Sequence, residues 1–385
     1  MKTLLTAESV CKGHPDKLCD QISDAILDWA LMKDRASRVA VEVMATRGHI
    51  IIAGEITCKE KLDIRWIVRD VLMKLGYETQ KYKIHVYLHK QSEDIKTGVD
   101  YSLEQREKKT SIFSILGAGD QGTMYGYATN ETSEKLPLPL VYAHKICKRF
   151  DKLREDGIIE GILSDGKSQV SIEYEDGKAK RVESVVLSIR HSEFKNVDIL
   201  KEEIMSLVVL PIFTNIKIDD RTEILINPSG RFVEGGPDAD TGLTGRKIMV
   251  DTYGGRPHGG GAFSGKDPTK VDRTAAYMAR HIAKQIVSDE IAEECEVALS
   301  YAIGKAEPVA VNINTFRTGI VPDDILVEII KDNYSLTPNG MIDYLDLKIP
   351  IYRDTACYGH FNSILFPWEQ VKYGKLKKVV DSYGH

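Results

Sequence analysis

Two acidic residues near the starts of predicted helices have the positions expected of magnesium ligands. Asp16 directly follows Pro15, and Asp272 lies four residues after Pro268. Proline is favoured in the first turn of a helix, where its missing N–H costs nothing. Mg²⁺ typically binds one or two protein carboxylates and completes its coordination with water and phosphate oxygens. The two acids therefore favour a site for a phosphate-bearing ligand, while a plain helix cap is the alternative explanation of Asp16.

A set of basic side chains lies in or beside glycine-rich segments, where the backbone can approach a ligand closely. The set consists of Lys167, Arg246, Lys247, Lys266 and Lys270. Any one of them alone could be a solvated surface charge. As a group inside loops of a chain with a formal net charge of −5, they favour binding of a polyphosphate.

The segment GGGAFSGKDPTK, residues 259–270, nearly matches a P-loop. Gly260, Gly265 and Lys266 satisfy the G-x-x-x-x-G-K pattern, but Asp267 stands where Ser or Thr would bind magnesium. We interpret Asp267 as the N-cap of a helix that begins at Pro268. A kinase or ATPase built on Gly260–Lys266 is the alternative interpretation, and it predicts ADP as a product.

Other features restrict the class of protein. The net negative charge argues against a general nucleic-acid binder, and the longest apolar stretch, which starts at Ile204, is about half a membrane span. The N-terminus lacks the apolar run of a signal peptide and the scattered cysteines form no C-x-x-C pair, so we expect a cytoplasmic protein that contacts neither membrane nor nucleic acid. The sequence has no G-x-S-x-G, H-E-x-x-H or kinase motif set. This profile indicates a reaction in which the substrate supplies its own nucleophile.

The order β-α-β-β-α-β occurs three times along the chain, with hairpin turns at Gly48, Gly177 and Glu307. The third copy is expected to open with a strand over residues 246–253, to continue with a helix from Pro268 and to close with a strand over residues 347–354. We therefore predict an α+β fold of three β-α-β-β-α-β repeats packed about a pseudo-threefold axis. The predicted domains are an N-terminal repeat (1–100), a central repeat (112–230) and a C-terminal repeat (231–372).

Several of these motifs resemble those of the S-adenosylmethionine synthetase family. They are GHPDK at Gly13, GAGDQG at Gly117, KSQV at Lys167, NPSGRF at Asn227 and HGGGAFSGKDPTKVDR at His258. The resemblance covers the chain from Met1 to about Trp368, and it implies the same three-repeat fold. It also implies the family's reaction, in which the methionine sulfur attacks C5′ of ATP and the departing tripolyphosphate is hydrolysed to phosphate and pyrophosphate.

The resemblance further implies roles for individual residues. His14 resembles the donor to the departing O5′, and Lys167, Lys266 and Asp120 resemble further catalytic residues. The implied ATP-binding residues are His14, Asp165, Lys167, Arg231, Phe232, Asp240, Arg246, Lys247, Ala262 and Lys266. The implied methionine-binding residues are Glu55, Gln91, Asp240, Lys270 and Ile303. The implied metals are two Mg²⁺ ions per site, bound by Asp16 and Asp272, and a K⁺ ion bound by Glu42.

The family's active sites form between two subunits, so the resemblance implies a homo-oligomer, with dimers that share active sites and assemble into a tetramer. It also places a mobile gate loop at residues 92–116. The chain departs from the family pattern at Lys12, Glu93 and Lys305, and in a shortened loop at 254–260 that puts the role of His258 in doubt. A catalytically silent homologue, acting as a binding subunit, would be expected to have lost the charged pocket residues that this chain retains.

Overall fold

The computed structural model describes residues 2–92, 101–107, 115–256 and 260–383. The β-strands are β1 (Lys2–Val10), β2 (Arg38–Thr46), β3 (His49–Thr57), β4 (Lys83–His89), β5 (Gly122–Thr129), β6 (Ile162–Glu175), β7 (Lys178–His191), β8 (Glu223–Ile226), β9 (Gly242–Leu243), β10 (Glu294–Tyr301) and β11 (Ala310–Asn314). Residues 93–100 and 108–114 of the predicted gate loop, together with His258, lie outside the described residues.

The α-helices are α1 (Pro15–Lys33), α2 (Ile64–Lys74), α3 (Leu103–Arg106), α4 (Leu138–Glu155), α5 (Val197–Ile204), α6 (Ile248–Asp251), α7 (Val271–Ser288), α8 (Asp323–Asn333), α9 (Pro338–Tyr344), α10 (Tyr352–Thr355) and α11 (Lys375–Tyr383). Single 3₁₀ turns lie at Thr79–Lys81, Gly236–Asp238 and Pro367–Glu369, and a π-helical turn at Met205–Val209 extends α5. Among the described residues, no helix combines the length and the apolar character needed to cross a bilayer.

We call the three β-α-β-β-α-β repeats the first, second and third units. The first two units have the elements that the sequence predicts. Helix α1 begins at Pro15 as expected, and β6 and β7 form a hairpin in which Glu175 pairs with Lys178. Its two turn residues, Asp176 and Gly177, have φ angles of 50° and 76°. Both residues of a tight hairpin turn of this kind need positive φ, and Asp-Gly adopts it readily. The local hairpin signal is thus confirmed.

Three predictions for the third unit are wrong. Residues 246–253 contain the short helix α6 (Ile248–Asp251) in place of a strand, and Val250 and Tyr253, three residues apart, are both buried. The helix expected from Pro268 begins only at Val271. Residues 347–354 contain α10 and no strand. There, the backbone N–H groups of Tyr352 and Arg353 donate to the carboxylate of Asp28, so they are not available to a sheet.

Each sheet joins a hairpin from one unit with the opening strand of another unit. The strand orders are β1-β6-β7-β8, β11-β10-β5 and β4-β3-β2-β9. The first unit therefore gives its opening strand to the second, the second to the third, and the third to the first. This cyclic exchange relates the three units in the way that a pseudo-threefold arrangement requires. The chain has the α+β fold of three repeats. The opening strand of the third unit, β9, is only two residues long.

The helices that follow the opening strands form the interior of the molecule. Nearly every residue of α7 is buried, including Arg273 and Arg280, and α1 buries Asp20 and Asp24 beside its apolar side chains. Buried charges are stable only when they are paired. The interior therefore contains ion pairs that link the units, and α1 leads from this interior to the candidate site at its N-terminus.

Candidate active site

His14 is the N-cap of α1, and its surroundings favour the neutral form of its imidazole ring. The Nδ1 atom accepts a hydrogen bond of 3.2 Å from the backbone N–H of Asp16. Burial, together with the nearby charge of Lys247, lowers the pKa of His14 to about 3. The ring is therefore neutral near pH 7, and since Nδ1 is an acceptor, Nε2 carries the proton and can donate a hydrogen bond to a ligand.

Asp16 lies in the first turn of α1 and is ion-paired with a lysine from the third unit. Its Oδ2 atom is 2.5 Å from Lys247 Nζ, and its Oδ1 atom accepts the backbone N–H of Leu243 at 3.0 Å. Arg246 Nε lies 3.6 Å from the same carboxylate. Burial opposes ionisation, but the hydrogen bonds from Lys247 and Leu243 lower the pKa of Asp16 below its usual value. The carboxylate is thus held ionised in a cationic environment.

Asp272 forms a second pair of the same kind in the first turn of α7. Lys266 Nζ lies 2.5 Å from Asp272 Oδ2. We call Asp16–Lys247 and Asp272–Lys266 the two acid–lysine pairs. The loops that carry them are packed together, because a Cβ atom added to Gly245 would lie 2.6 Å from the side chain of Ala262. In each pair a predicted magnesium ligand is bound to a lysine that is predicted to hold ATP.

Asp165, which is predicted to bind the nucleotide, lies next to the GHPDK segment. Asp165 is only 6% exposed, and its Oδ2 atom accepts the backbone N–H of Gly236 at 2.7 Å. Burial raises the pKa of Asp165 to about 6. The neighbouring Ser164 accepts the N–H of Gly13 through its carbonyl oxygen at 3.0 Å, and the Tyr77 hydroxyl donates to the Gly13 carbonyl. Asp165 is thereby attached to the turn that presents His14.

Phe232, the predicted adenine contact, lies against the segment that Asp165 holds. Its backbone N–H donates to His191 Nε2 at 3.1 Å. A Cβ atom added to Gly235 would approach its ring to 3.0 Å, so the ring lies against this glycine. The segment from Phe232 to Gly236 therefore forms one wall beside Asp165.

Three predicted methionine-binding residues line one cavity of about 290 Å³. These are Glu55, Gln91 and Lys270, and the cavity is also lined by Arg38 and His89. Glu55 Oε1 lies 3.2 Å from His89 Nε2. A cavity with one acid among several cationic side chains suits a ligand that carries both an ammonium and a carboxylate group.

Glu42 is an exposed residue of β2 whose carboxylate senses the charges of Lys266 and Glu55. It projects from β2 two residues after Ala40, which forms a bridge with Lys266. Burial raises the pKa of Glu42, the charge of Lys266 opposes that effect and the charge of Glu55 adds to it. The carboxylate therefore shares one side of the sheet with charged groups from both neighbouring clusters.

The donor set fits hard cations that also bind a substrate. Within the ranges that the structure describes, no three His, Cys, Asp or Glu side chains converge on a point that could hold a metal ion. Asp16 and Asp272 each supply one carboxylate, and Mg²⁺ typically completes such a donor set with phosphate and water oxygens. Glu42 likewise supplies one carboxylate to the predicted K⁺ ion. The lysine ammonium groups in the two acid–lysine pairs also show that Asp16 and Asp272 attract cations.

The remaining predicted residues lie at the surface. Lys167 is paired with Glu8, with 2.5 Å between Nζ and Oε2. Asp120 accepts the N–H of Gln121 and is exposed. Arg231, Asp240 and Ile303 are also exposed, and in the described part of the chain no hydrogen bond joins their side chains to the two acid–lysine pairs. Within one chain the structure thus brings together part of the predicted site and leaves these residues at its edge.

Asp267 has a structural role that differs from the predicted N-cap. Its Oδ1 atom accepts the N–H of Thr269 at 2.9 Å, and its Oδ2 atom accepts the N–H of Val39 at 2.7 Å. It thus fixes a turn before α7 and attaches that turn to β2. A P-loop lysine directly precedes its helix, whereas the residues between Lys266 and Val271 form this turn.

Sequence reasoning missed several residues that hold the site. Tyr77, Arg38 and His89 have no local signal that separates them from ordinary helix-flanking or strand residues. Asp20 and Asp24 have one, because they continue the four-residue spacing of acids that begins at Asp16. On a helix this spacing places side chains on one face.

Comparisons with known proteins identify the family of the chain. Three family models match the chain, described as the S-adenosylmethionine synthetase N-terminal domain over residues 2–97, central domain over 115–232 and C-terminal domain over 234–370. Together they span most of the chain.

Curated relatives match over the full length. An S-adenosylmethionine synthase of Finegoldia magna is 48% identical over 387 residues, covering 98% of this chain and 99% of the relative. One of Desulforudis audaxviator is 48% identical over 393 residues, covering 100% of both, and one of Clostridium botulinum is 46% identical, covering 99% of this chain and 100% of the relative. The chain therefore belongs to the S-adenosylmethionine synthetase family.

Proposed function

We propose that the chain is a methionine adenosyltransferase, which makes S-adenosylmethionine from ATP and L-methionine. The observation that carries the proposal is the arrangement of the two acid–lysine pairs on adjacent loops. It supplies carboxylates for metal ions and cations for phosphates at one place. Family membership supplies the reaction for which such a place is needed.

In the proposed reaction the methionine sulfur forms a bond to C5′ of ATP, and the bond from C5′ to O5′ breaks. The sulfur becomes a sulfonium and the electron pair of the broken bond leaves with tripolyphosphate. A thioether has no proton to lose, so this step needs no general base. His14, with its proton on Nε2, is suited to donate a hydrogen bond to the departing O5′. Water then cleaves the tripolyphosphate to phosphate and pyrophosphate.

Stabilisation of the leaving group is the main electrostatic demand on the protein. We expect ATP binding to break the ion pair within each acid–lysine pair, so that Lys247 and Lys266 turn from the aspartates toward phosphate oxygens. Arg246 and Lys167 would add further positive charge. Asp16 and Asp272 would then each hold one of two Mg²⁺ ions, which supply charge neutralisation and orient the phosphates when bound. Asp120 is proposed to act in the same pocket.

The adenine and methionine subsites are proposed on either side of this centre. Phe232 would pack on the adenine beside Asp165, with Arg231 and Ala262 as further ATP contacts. The cavity of about 290 Å³ would hold methionine, whose ammonium group would pair with Glu55 and whose carboxylate would approach Gln91 and Lys270. Asp240 and Ile303 complete the proposed methionine set, and Glu42 would bind K⁺.

A shared site between subunits would explain the exposed members of the set. Arg231, Asp240, Asp120 and Ile303 lie at the surface of a single chain. A second copy facing them would enclose these side chains around the substrates. We therefore propose a homodimer with shared active sites that assembles into a tetramer, with repeats bounded at 1–100, 112–230 and 231–372 and a gate loop at 92–116.

The proposed function is tested by incubating the purified chain with ATP, L-methionine, Mg²⁺ and K⁺ and identifying all products. We expect S-adenosylmethionine together with phosphate and pyrophosphate. Formation of ADP would contradict the proposal and favour a kinase or ATPase. A chain that binds ATP but forms no product would match a silent binding subunit instead.

A further inference from the structure

Four aspartates of α1 form a ladder along one face of the helix. Asp16, Asp20, Asp24 and Asp28 follow one another at four-residue spacing, and we call them the aspartate ladder. Each carboxylate accepts at least one backbone N–H group from the third unit. Asp16 accepts from Leu243, Asp20 from Gly245 and Asp24 from Gly265. Asp28 accepts from both Tyr352 and Arg353. The helix of the first unit thus holds the backbone of the third at successive levels.

The second member of the ladder holds the loop of Arg246 and Lys247. Asp20 Oδ1 accepts the N–H of Gly245 at 2.8 Å, immediately before these two residues. Asp20 Oδ2 lies 3.0 Å from Lys17 Nζ, and both side chains are fully buried. A buried carboxylate that is charge-paired and hydrogen-bonded is a rigid anchor, because losing any partner is costly.

The third member holds the loop of Lys266 in the same way. Asp24 Oδ1 accepts the N–H of Gly265 at 2.8 Å, one residue before Lys266. Both oxygens of Asp24 also receive the guanidinium of Arg273, at 2.7 Å and 2.9 Å. The bidentate pair fixes the direction of the carboxylate, so that a second lone pair of Oδ1 points at Gly265.

The two anchored glycines have conformations that make the attachment tight. Gly245 and Gly265 have φ angles of 77° and 80°. A Cβ atom at Gly265 would lie 2.0 Å from the carbonyl oxygen of Val41, so only glycine fits there. The carbonyl oxygen of Gly265 also accepts the N–H of Val41 at 3.0 Å. Gly265 is therefore held through its N–H and its carbonyl group alike.

We propose that Asp20 and Asp24 are positioning residues, which hold the loops of Lys247 and Lys266 in place before ATP binds. The inference rests on the proposed function, because it assigns those lysines to the phosphates. Loops ordered during folding need not be ordered on binding, so more of the interaction energy with ATP appears as affinity and as stabilisation of the leaving group. Neither aspartate touches the substrate in this account.

Asp28 provides a matched control within the same ladder. Its two oxygens accept the N–H groups of Tyr352 and Arg353, each at 2.9 Å. The bonds are of the same type, from the same helix face, but the anchored segment carries no predicted site residue. Loss of Asp28 is therefore expected to affect stability without a specific effect on ATP.

The test compares Asp20→Ala, Asp24→Ala and Asp28→Ala in the full-length protein, with Asp20→Asn and Asp24→Asn as conservative variants. Binding of Mg·ATP in the absence of methionine is measured by calorimetry, and KM for ATP and for methionine by steady-state kinetics. We expect the Asp20 and Asp24 alanine variants to raise Kd and KM for ATP by about tenfold or more, with less than about threefold change in KM for methionine. Asparagine keeps an acceptor oxygen and should restore much of the ATP affinity.

A loss of ATP affinity in Asp28→Ala equal to that in the other two would overturn the inference, since it would reveal only general destabilisation. Unchanged ATP binding in folded Asp20→Ala and Asp24→Ala would also overturn it. Because calorimetry involves no turnover, these results are independent of product formation. A chain that makes no S-adenosylmethionine but shows the expected binding pattern would refute the proposed function alone.

Amide exchange in the unaltered protein covers the case in which the alanine variants do not fold. The N–H groups of Gly245 and Gly265 should exchange slowly without ATP, at rates similar to those of buried amides in α1. Addition of Mg·ATP should slow them little further. Fast exchange that becomes slow only with Mg·ATP would contradict preformed loops.

Discussion

The ammonium group of Lys266 lies 2.5 Å from the carboxylate of Asp272. The pair places the proposed magnesium ligand and the proposed phosphate-binding lysine of the third unit at one point. In the proposed enzyme, Mg·ATP replaces each partner with a stronger one. The same relation holds between Lys247 and Asp16. Several consequences can be measured.

Lys266→Ala should lower turnover strongly, by about 10²-fold or more, because one charge opposite the leaving group is lost. The fold should remain intact, since the side chain is 23% exposed and its loop is held through the backbone. Turnover and melting temperature of the variant are measured beside Lys180→Ala, which removes an exposed lysine near the start of β7. Equal turnover in the two variants would refute the role of Lys266.

Asp272→Asn should raise the Mg²⁺ concentration needed for half-maximal activity, because an amide binds Mg²⁺ less strongly than a carboxylate does. Removal of Mg²⁺ with a chelator should abolish activity in the unaltered protein. Asp324→Asn is the control, since Asp324 also lies in the first turn of a helix but is exposed and remote from the predicted site residues in sequence. A magnesium titration that is the same for both variants would show that Asp272 does not hold the metal.

Glu55→Gln should raise KM for methionine by about tenfold or more while KM for ATP changes little, because a charge-assisted hydrogen bond to the ammonium group is lost. Glu60→Gln, an exposed change shortly after β3, serves as the control. Steady-state kinetics with each substrate varied in turn make the measurement. A variant that loses affinity for ATP instead would place Glu55 in the other subsite.

The buried carboxylate of Asp165 should make stability depend on pH. Burial raises its pKa from the ordinary value of 3.8 to about 6 in the folded protein. Its contribution to the free energy of unfolding is thus fully present below about pH 4 and is lost as the pH rises through about 6. The asparagine in Asp165→Asn cannot ionise. The free energy of unfolding of this variant, measured relative to that of the unaltered protein, should therefore rise by about 1 kcal/mol or more between pH 5 and pH 8.

Denaturant unfolding at the two pH values tests this, with the exposed Asp220→Asn as the control. An equal difference between Asp165→Asn and the unaltered protein at both pH values would mean that Asp165 titrates normally.

Local sequence signals predicted the local structure of the first two units well. Pro15 marks the start of α1, and Asp176-Gly177 marks a hairpin turn, because both depend on the backbone preferences of neighbouring residues. The cyclic exchange of opening strands could not be predicted in this way. Which distant strand β1 joins is decided by packing of whole units, and β1 has the same alternating pattern beside any partner.

The errors in the third unit have the same origin. Pro268 is a good first residue of a helix, but the carboxylate of Asp267 binds Thr269 and delays the helix to Val271. Residues 347–354 look like a strand, but Asp28 takes the N–H groups that a sheet would need. In both places a side chain captures backbone donors, which a periodicity pattern does not reveal.

The candidate site residues were proposed where the sequence concentrates charges in or beside glycine-rich segments. The structure places the acids and lysines of the two acid–lysine pairs in contact with each other. Asp20 and Asp24 were missed, because acids at four-residue spacing on a helix are usually a solvated face. Only the contacts with Gly245, Gly265 and Arg273 show that this face is buried and what it holds.

The most direct test of the central claim is the product analysis of the purified chain with ATP, L-methionine, Mg²⁺ and K⁺. Chromatography of the nucleotides and assay of the phosphates should show one S-adenosylmethionine, one phosphate and one pyrophosphate for each ATP consumed, with no ADP. Appearance of ADP, or consumption of ATP without S-adenosylmethionine, would contradict the account.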